Sequence, residues 1–288
     1  MAAGVLVVGS LHHDIMIEAD RLPRADETAV GRRWYPKFGG KGGNQAVAAA
    51  AAGAMARMFG AVGRDGFGAY LTAALRAGGV DLSFVQEIDG VGSGMSVAVV
   101  DASGDYAATI VSGANLHLAV DDLEQAALWH GVAVLVLQNE IAEGTNIAAA
   151  QEARARGVRV ILNAAPARNL PGELRALVDV LVVNAVEAEM MGAGPVSGLD
   201  SALTAARSLA TAGGDVVVTA GGHGLAAAMA DGESFALPAR QVSVVSSHGA
   251  GDCFIGTLAA ALAKGEGLRL ACERASDAAA RHVSQAAR

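Results

Sequence analysis

Strand-length aliphatic runs recur along this chain, separated by alanine-rich stretches of helical length, and this alternation constrains the fold more than any other feature. Val5-Leu6-Val7-Val8 is the first run, ended by Gly9-Ser10, and residues 133–137, 158–162, 180–183 and 216–219 have the same character. Between them, segments 122–129, 144–156 and 199–212 are compatible with helices, and the alanine-heavy stretch 44–57 predicts another. A strand apolar at every position must be covered on both faces, as in a parallel sheet between helical layers. The expectation is an α/β fold with right-handed crossovers.

Two places break the rhythm. Residues 15–38 mix polar and apolar positions, including 27–30 and 32–35, and segments 95–100 and 106–111 flank the turn-like Asp101-Ala102-Ser103-Gly104-Asp105. These pieces read as extra strands outside the main sheet, either a small sheet capping a ligand cleft or ordinary surface hairpins. The sequence shows no solenoid-length repeat and no dividing linker, so residues 1–288 read as a single domain.

Composition excludes several classes of partner. A formal charge of −8 argues against a nucleic-acid surface, which needs clustered Lys and Arg. No apolar run reaches the ~18 residues that span a bilayer. The opening MAAGVLVVGS lacks a basic n-region and reads as a buried strand rather than a signal peptide. Cys253 and Cys272 have no metal-type spacing and fit reduced thiols in a cytoplasmic protein.

The chemistry concentrates in a few glycine-rich turns. Ser247-His248-Gly249-Ala250-Gly251-Asp252 precedes a run at helical spacing from 253 to 263. Small residues admit close backbone approach, and the free N–H groups and dipole of a helix start favour an anion. Asp252 would stand beside that anion and could accept a proton from an attacking hydroxyl, or it could simply cap the helix. In Phe38-Gly39-Gly40-Lys41-Gly42-Gly43-Asn44-Gln45-Ala46, four glycines surround one Lys and precede one Asn without the spacing of a Walker A loop. Lys41 and Asn44 could project into a cleft for a polyhydroxylated ligand, or the segment could be a solvated turn.

Asp14 follows the first strand and could accept hydrogen bonds from vicinal hydroxyls. The neighbouring His12 and His13 alternate in direction on an extended chain and lack a further ligand set for a metal. Asn184 and Glu187 follow a later strand, where they could orient Mg²⁺-bound water around phosphates or serve as a helix cap and first-turn carboxylate. The run Thr219-Ala220-Gly221-Gly222-His223-Gly224 ends the next strand and could pack against a nucleotide.

Taken in order, these segments resemble the ribokinase-like PfkB family of carbohydrate kinases. The resemblance runs from Val8-Gly9-Ser10 and Asp14 through 38–46, Gly60-Ala61-Val62-Gly63-Arg64-Asp65, Gly68, Asn163-Ala164-Ala165-Pro166-Ala167-Arg168, 184–187 and 219–224 to 249–252. It implies a three-layer α/β/α domain with a mostly parallel central sheet and a small β lid near 12–38 and 92–112, often a homodimer contact. It also implies transfer of the ATP γ-phosphoryl group to a primary hydroxyl, O5 of a ribose-like sugar, with Mg²⁺. On this resemblance Asp252 is the base, and the amides of Gly249, Ala250 and Gly251 form the anion hole. His12, Asp14, Gly40, Lys41, Asn44 and Glu140 line the sugar site. Asn184 and Glu187 serve phosphates and Mg²⁺, Glu187 through water, while Thr219, Gly221 and Gly224 contact ATP.

The chain departs from the family pattern in places. His12 stands where the pattern has a sugar-binding Asn, which keeps a nucleoside such as pseudouridine in view as the alternative substrate. Ser246 stands where many relatives carry an Asp of a monovalent-cation site, which weakens the expectation of K⁺ there. Thr257 is a smaller deviation after Asp252. The chain ends at Arg288, before the glycine-containing segment that usually completes the cation site and nucleotide pocket, so weaker nucleotide binding is expected. A reading from another class is a non-catalytic sugar or nucleotide sensor, against which Lys41, Asn44, Glu187 and Asp252 speak together.

Overall fold

The computed structural model describes residues 3–102, 106–211 and 213–285. In chain order the strands are β1 (Gly4–Val8), β2 (His12–Ala19), β3 (Gly31–Gly39), β4 (Met55–Gly63), β5 (Asp81–Ile88), β6 (Met95–Val100), β7 (Tyr106–Val111), β8 (Val132–Gln138), β9 (Arg159–Asn163), β10 (Val180–Asn184), β11 (Asp215–Thr219), β12 (Gly224–Ala228) and β13 (Ser234–Pro238). The helices are α1 (Lys41–Ala51), α2 (Gly66–Ala77), α3 (Glu143–Ala155), α4 (Gly172–Leu177), α5 (Ala185–Met190), α6 (Leu199–Ala210), α7 (Ala250–Ala263) and α8 (Leu268–Ser284).

Nine strands form one sheet in the order β13-β12-β11-β10-β9-β8-β1-β4-β5, parallel except for β12 and β13. The aliphatic runs become its central strands because successive side chains go to opposite faces. Leu6, Val8, Leu135 and Leu137 join a core beneath α3, α4, α5 and α6, whereas Val5, Val7, Val134 and Val136 join one beneath α1, α2, α7 and α8. Three layers result, α/β/α. Beside them, β3-β2-β6-β7 form a separate four-stranded sheet, built from the two segments that broke the rhythm.

Some expected elements differ. The 122–129 segment is two 3₁₀ turns, Val120–Glu124 and Ala126–Trp129, rather than an α-helix. Gln125 is extended between them, and the Trp129 indole N–H donates to the Leu123 carbonyl at 2.7 Å, so side-chain anchoring replaces a helical ladder. The 44–57 helix starts at Lys41 and stops at Ala51. Gly53 takes φ +82° there, its N–H donates to Ala50 O at 2.9 Å and that of Ala54 to Ala49 O at 3.1 Å, a Schellman ending that frees Met55 to open β4. Segment 27–30 lies in no strand, and β3 begins at Gly31. Residues 103–105 of the expected turn and residue 212 of the expected helix lie outside the described residues. Among the described residues no helix is long and apolar enough to cross a membrane. Both cysteines are free thiols, and burial pushes that of Cys272 up to about 12.

Candidate active site

Strand order reverses direction beside β1, whose neighbours are β4 on one side and β8 on the other. In open α/β sheets such a switch point opens a crevice at the carboxyl ends of the strands. Ser10, just beyond β1, and Glu140, just beyond β8, meet there, with the Ser10 hydroxyl donating to the Glu140 carboxylate. Glu140 Oε2 also accepts the Lys41 backbone N–H at 2.9 Å, which ties the start of α1 to the same point. His12 Nδ1 lies 3.9 Å from that oxygen, and His12 Nε2 is buried without a partner.

Two helices start at this crevice. Gly40, the N-cap of α1, has φ +85°, and a Cβ there would lie 2.8 Å from Ser10 O and 2.7 Å from His12 N, so only glycine brings the helix so close to the β1–β2 turn. Gly249, the N-cap of α7, stands in the left-handed region at φ +77°. Asp252 in the first turn of α7 meets the first turn of α1, where Gln45 Nε2 donates to its Oδ1 at 2.9 Å and Asn44 Nδ2 to its Oδ2 at 3.4 Å. The same Gln45 amide donates to Asn163 Oδ1 at 3.1 Å, at the end of β9.

The electrostatics follow from this crowding. Burial pushes the Asp252 carboxyl up to about 6, with Glu140 adding repulsion, against the opposing pull of Lys41, Gln45 and Asn44. His248 is held below its ordinary value, first by burial and then by Lys37 and Lys41, with Asp14 opposing. Positive helix ends, Lys41 and the neighbouring lysine Lys37 converge on one crevice, which favours an anion there.

Asp14 is not at a carboxyl end of the central sheet. It lies within β2 of the small sheet, in register with Lys37 and Ser96, whose hydroxyl donates to Asp14 Oδ1 at 2.6 Å. A Cβ at Gly39 would overlap that carboxylate, so the strand end is shaped around it. His13 faces away from His12, stacked on Phe67 at 4.1 Å between ring centroids.

A second wing lies at the ends of β10 and β11, where Asn184 and Thr219 are paired in register. Asn184 and Glu187 form a reciprocal capping box at the start of α5: Asn184 Oδ1 accepts the Glu187 N–H and Glu187 Oε2 accepts the Asn184 N–H, each at 2.8 Å. Glu187 is buried, which raises its pKa, and Lys41 pulls the other way, so this wing is electrostatically joined to the first. Gly221–His223 make a 3₁₀ turn leading into Gly224, the first residue of β12.

Two details of the turn before α7 bear on the expected anion and cation sites. The Ala250 amide donates to Ser247 O at 3.3 Å, so of the glycine-turn amides this one is already engaged. Ser246 is exposed, with its own N–H on Val283 O at 3.3 Å and its hydroxyl accepting the His248 N–H at 3.3 Å. Sequence reasoning quoted Gln45, Ser10, Asn163 and His248 within its motifs but gave none of them a role in the site. Ser10 had a signal as the polar residue ending the first strand. Gln45 had none, because a glutamine in an alanine-rich helix reads as solvent-facing.

A family model described as pfkB family carbohydrate kinase matches residues 2–287. The chain is 35% identical to a ribokinase of Mus musculus over 266 residues, covering 91% of this chain and 82% of that one. It is 33% identical to a ribokinase of Bacillus subtilis over 283 residues, covering 97% and 92%. Among solved structures, the ribokinase of Arabidopsis thaliana complexed with ribose and ATP superposes with a TM-score of 0.92 at 28% identity, covering 100% of this chain and 94% of that one.

Proposed function

Because this chain belongs to the pfkB family of carbohydrate kinases, we propose that it transfers the γ-phosphoryl group of ATP to the primary O5 hydroxyl of ribose or a close relative, with Asp252 as the base. The observation that carries this reading is the Asp252 carboxyl itself: partly buried, raised to about 6, and held by Gln45 and Asn44 at the meeting of two helix starts. A base poised just below neutral pH takes the hydroxyl proton as the oxygen attacks phosphorus, and positive helix ends offset the charge gathering on the transferred group.

Asp14, Gly40, Lys41, Asn44 and Glu140 bind the sugar hydroxyls, with His12 closing the pocket behind Glu140. Thr219, Gly221 and Gly224 border the nucleotide, and the amides of Gly249 and Gly251 face the phosphoryl group beside Lys41. Asn184 and Glu187 suit a Mg²⁺ ion held mainly by phosphates and reached through water, which would draw negative charge off the phosphoryl group. The small sheet, carrying Asp14 on β2, serves as the lid of the sugar site, and residues 1–288 act as one kinase unit.

The test is a product-scored panel of ribose, other pentoses and pseudouridine, with ATP and Mg²⁺, each with and without K⁺. Ribose 5-phosphate as the main product is expected. Phosphorylation confined to nucleosides would move the substrate to that class, and binding without product for every compound would make the chain a sensor. The Asp252→Asn variant should lose turnover by about 10²- to 10⁴-fold while still binding sugar. Turnover near that of the parent would remove Asp252 from the mechanism.

A further inference from the structure

The turn that delivers Gly249 and Asp252 to the site is held less by its own bonds than by its neighbour α8. Residues 239–247 form no helix or strand. Bonds inside the turn are long, from the Ala250 N–H to Ser247 O and from the His248 N–H to Ser246 Oγ, each at 3.3 Å. Its shorter bonds go to the last turn of α8. Val283 O is one of the terminal carbonyls that a helix leaves without an internal partner. It accepts the Val245 N–H at 2.8 Å and the Ser246 N–H at 3.3 Å. Beside it, His282 Nε2 lies 2.9 Å from His248 O. A carbonyl oxygen only accepts, so Nε2 carries the proton in this contact. A Cβ on Gly249 would lie 3.1 Å from the same nitrogen, so the imidazole rests against the N-cap of α7.

This arrangement engages the oxygens around Ser246, the position where the family pattern has the Asp of a monovalent-cation site. A K⁺ ion is held where several oxygens replace its water shell. Here the side chain is a neutral hydroxyl, and Ser246 Oγ, Val283 O and His248 O each already face an N–H donor. We infer that the last turn of α8 braces the anion-binding turn by hydrogen bonds in place of a cation, with His282 as a positioning residue for Gly249 and Asp252, so that turnover is independent of K⁺. The predicted rates rest on the kinase reading above; the brace itself does not.

Initial rates of the full chain with ribose, ATP and Mg²⁺, in tetramethylammonium buffer with and without added K⁺, should agree within about twofold. His282→Leu should lower kcat by about tenfold or more with KM for ribose little changed, because the turn faces the transferring group rather than the sugar. His282→Gln, whose amide can still donate to the His248 carbonyl, should recover most of that loss. His282 is exposed, so neither change empties the core. Amide hydrogen exchange over residues 245–252 reads the brace without any turnover. It should quicken in H282L, stay near the parent in H282Q, and be unmoved by K⁺ in the parent. If no substrate is phosphorylated, the kinase reading falls and exchange alone decides the brace. The inference is overturned if K⁺ raises the parent's rate severalfold or slows this exchange, if H282L matches the parent, or if H282Q is as impaired as H282L.

Discussion

At the scale of single residues, the Asp252 carboxyl ties activity and stability to pH in opposite directions. Its pKa of about 6 in the folded chain lies above the ~3.9 of an unstructured Asp. The folded state therefore keeps a proton that the unfolded chain has already lost. The resulting stabilisation is complete below about pH 4 and is lost as pH rises through about 6. The base needs the ionised form, so kcat/KM should show an acid limb near pH 6, falling as pH drops. The D252N variant should be more stable than the parent at pH 8, by up to about 3 kcal/mol, with the difference closing at pH 4. Denaturant melts at the two pH values measure this, and equal gaps at both would contradict a partly buried Asp252 with a raised pKa. Gln45 positions that carboxylate, and its hydrogen bond lowers the Asp252 pKa. Gln45→Ala should cut kcat by about tenfold or more and move the acid limb upward, with KM for ATP little changed. An unmoved limb would reduce Gln45 to a packing residue.

At the scale of elements, the site depends on how closely α1 and α7 approach. A Cβ built on Gly256 of α7 would lie 2.4 Å from the Gln45 carbonyl and 2.6 Å from the Ala48 methyl. The alanine-rich face of α1 and this glycine let the two backbones touch, which is why Gln45 and Asn44 reach Asp252. Gly256→Val should force the helices apart, costing about 3 kcal/mol in a chemical melt by overpacking. It should also lower kcat more than a surface glycine replacement such as Gly66→Ala, since Gly66 has nothing within 4 Å of an added Cβ. The alanine content of α1 was legible as helix propensity, but its use as a smooth packing face was not. Propensity says where a helix forms, and only packing says what it lies against.

At the scale of the whole molecule, the small sheet leaves large apolar groups in solvent. Val30, just before β3, is 87% exposed, Trp34 66% and Ile110 58%. We propose that these groups form the contact of a homodimer, consistent with the meaning of exposed apolar patches. Trp34→Glu should shift the mass seen by light scattering from dimer to monomer, and a parent that is monomeric at micromolar concentration would refute the contact. The two segments that interrupted the strand–helix rhythm were legible as extra strands. Their parallel pairing of β2 with β6, across the 75 residues between Ala19 and Met95, was not, because strand partners are chosen by tertiary contact.

The sequence by itself determined the layered α/β class, because runs such as Val5-Leu6-Val7-Val8 can be buried only between two helical layers. It also marked Gly40, Asn184 and Gly249–Asp252, since tight turns and helix starts leave local signatures in residue type. Tertiary structure alone decided that Gln45 holds a carboxylate 207 positions away and that Glu140 joins Ser10 across the switch point. It alone buried Arg175, which in an isolated helix would read as a solvated charge. Local conformation is written in neighbouring residues, whereas desolvation and partner choice arise from segments far apart in the chain.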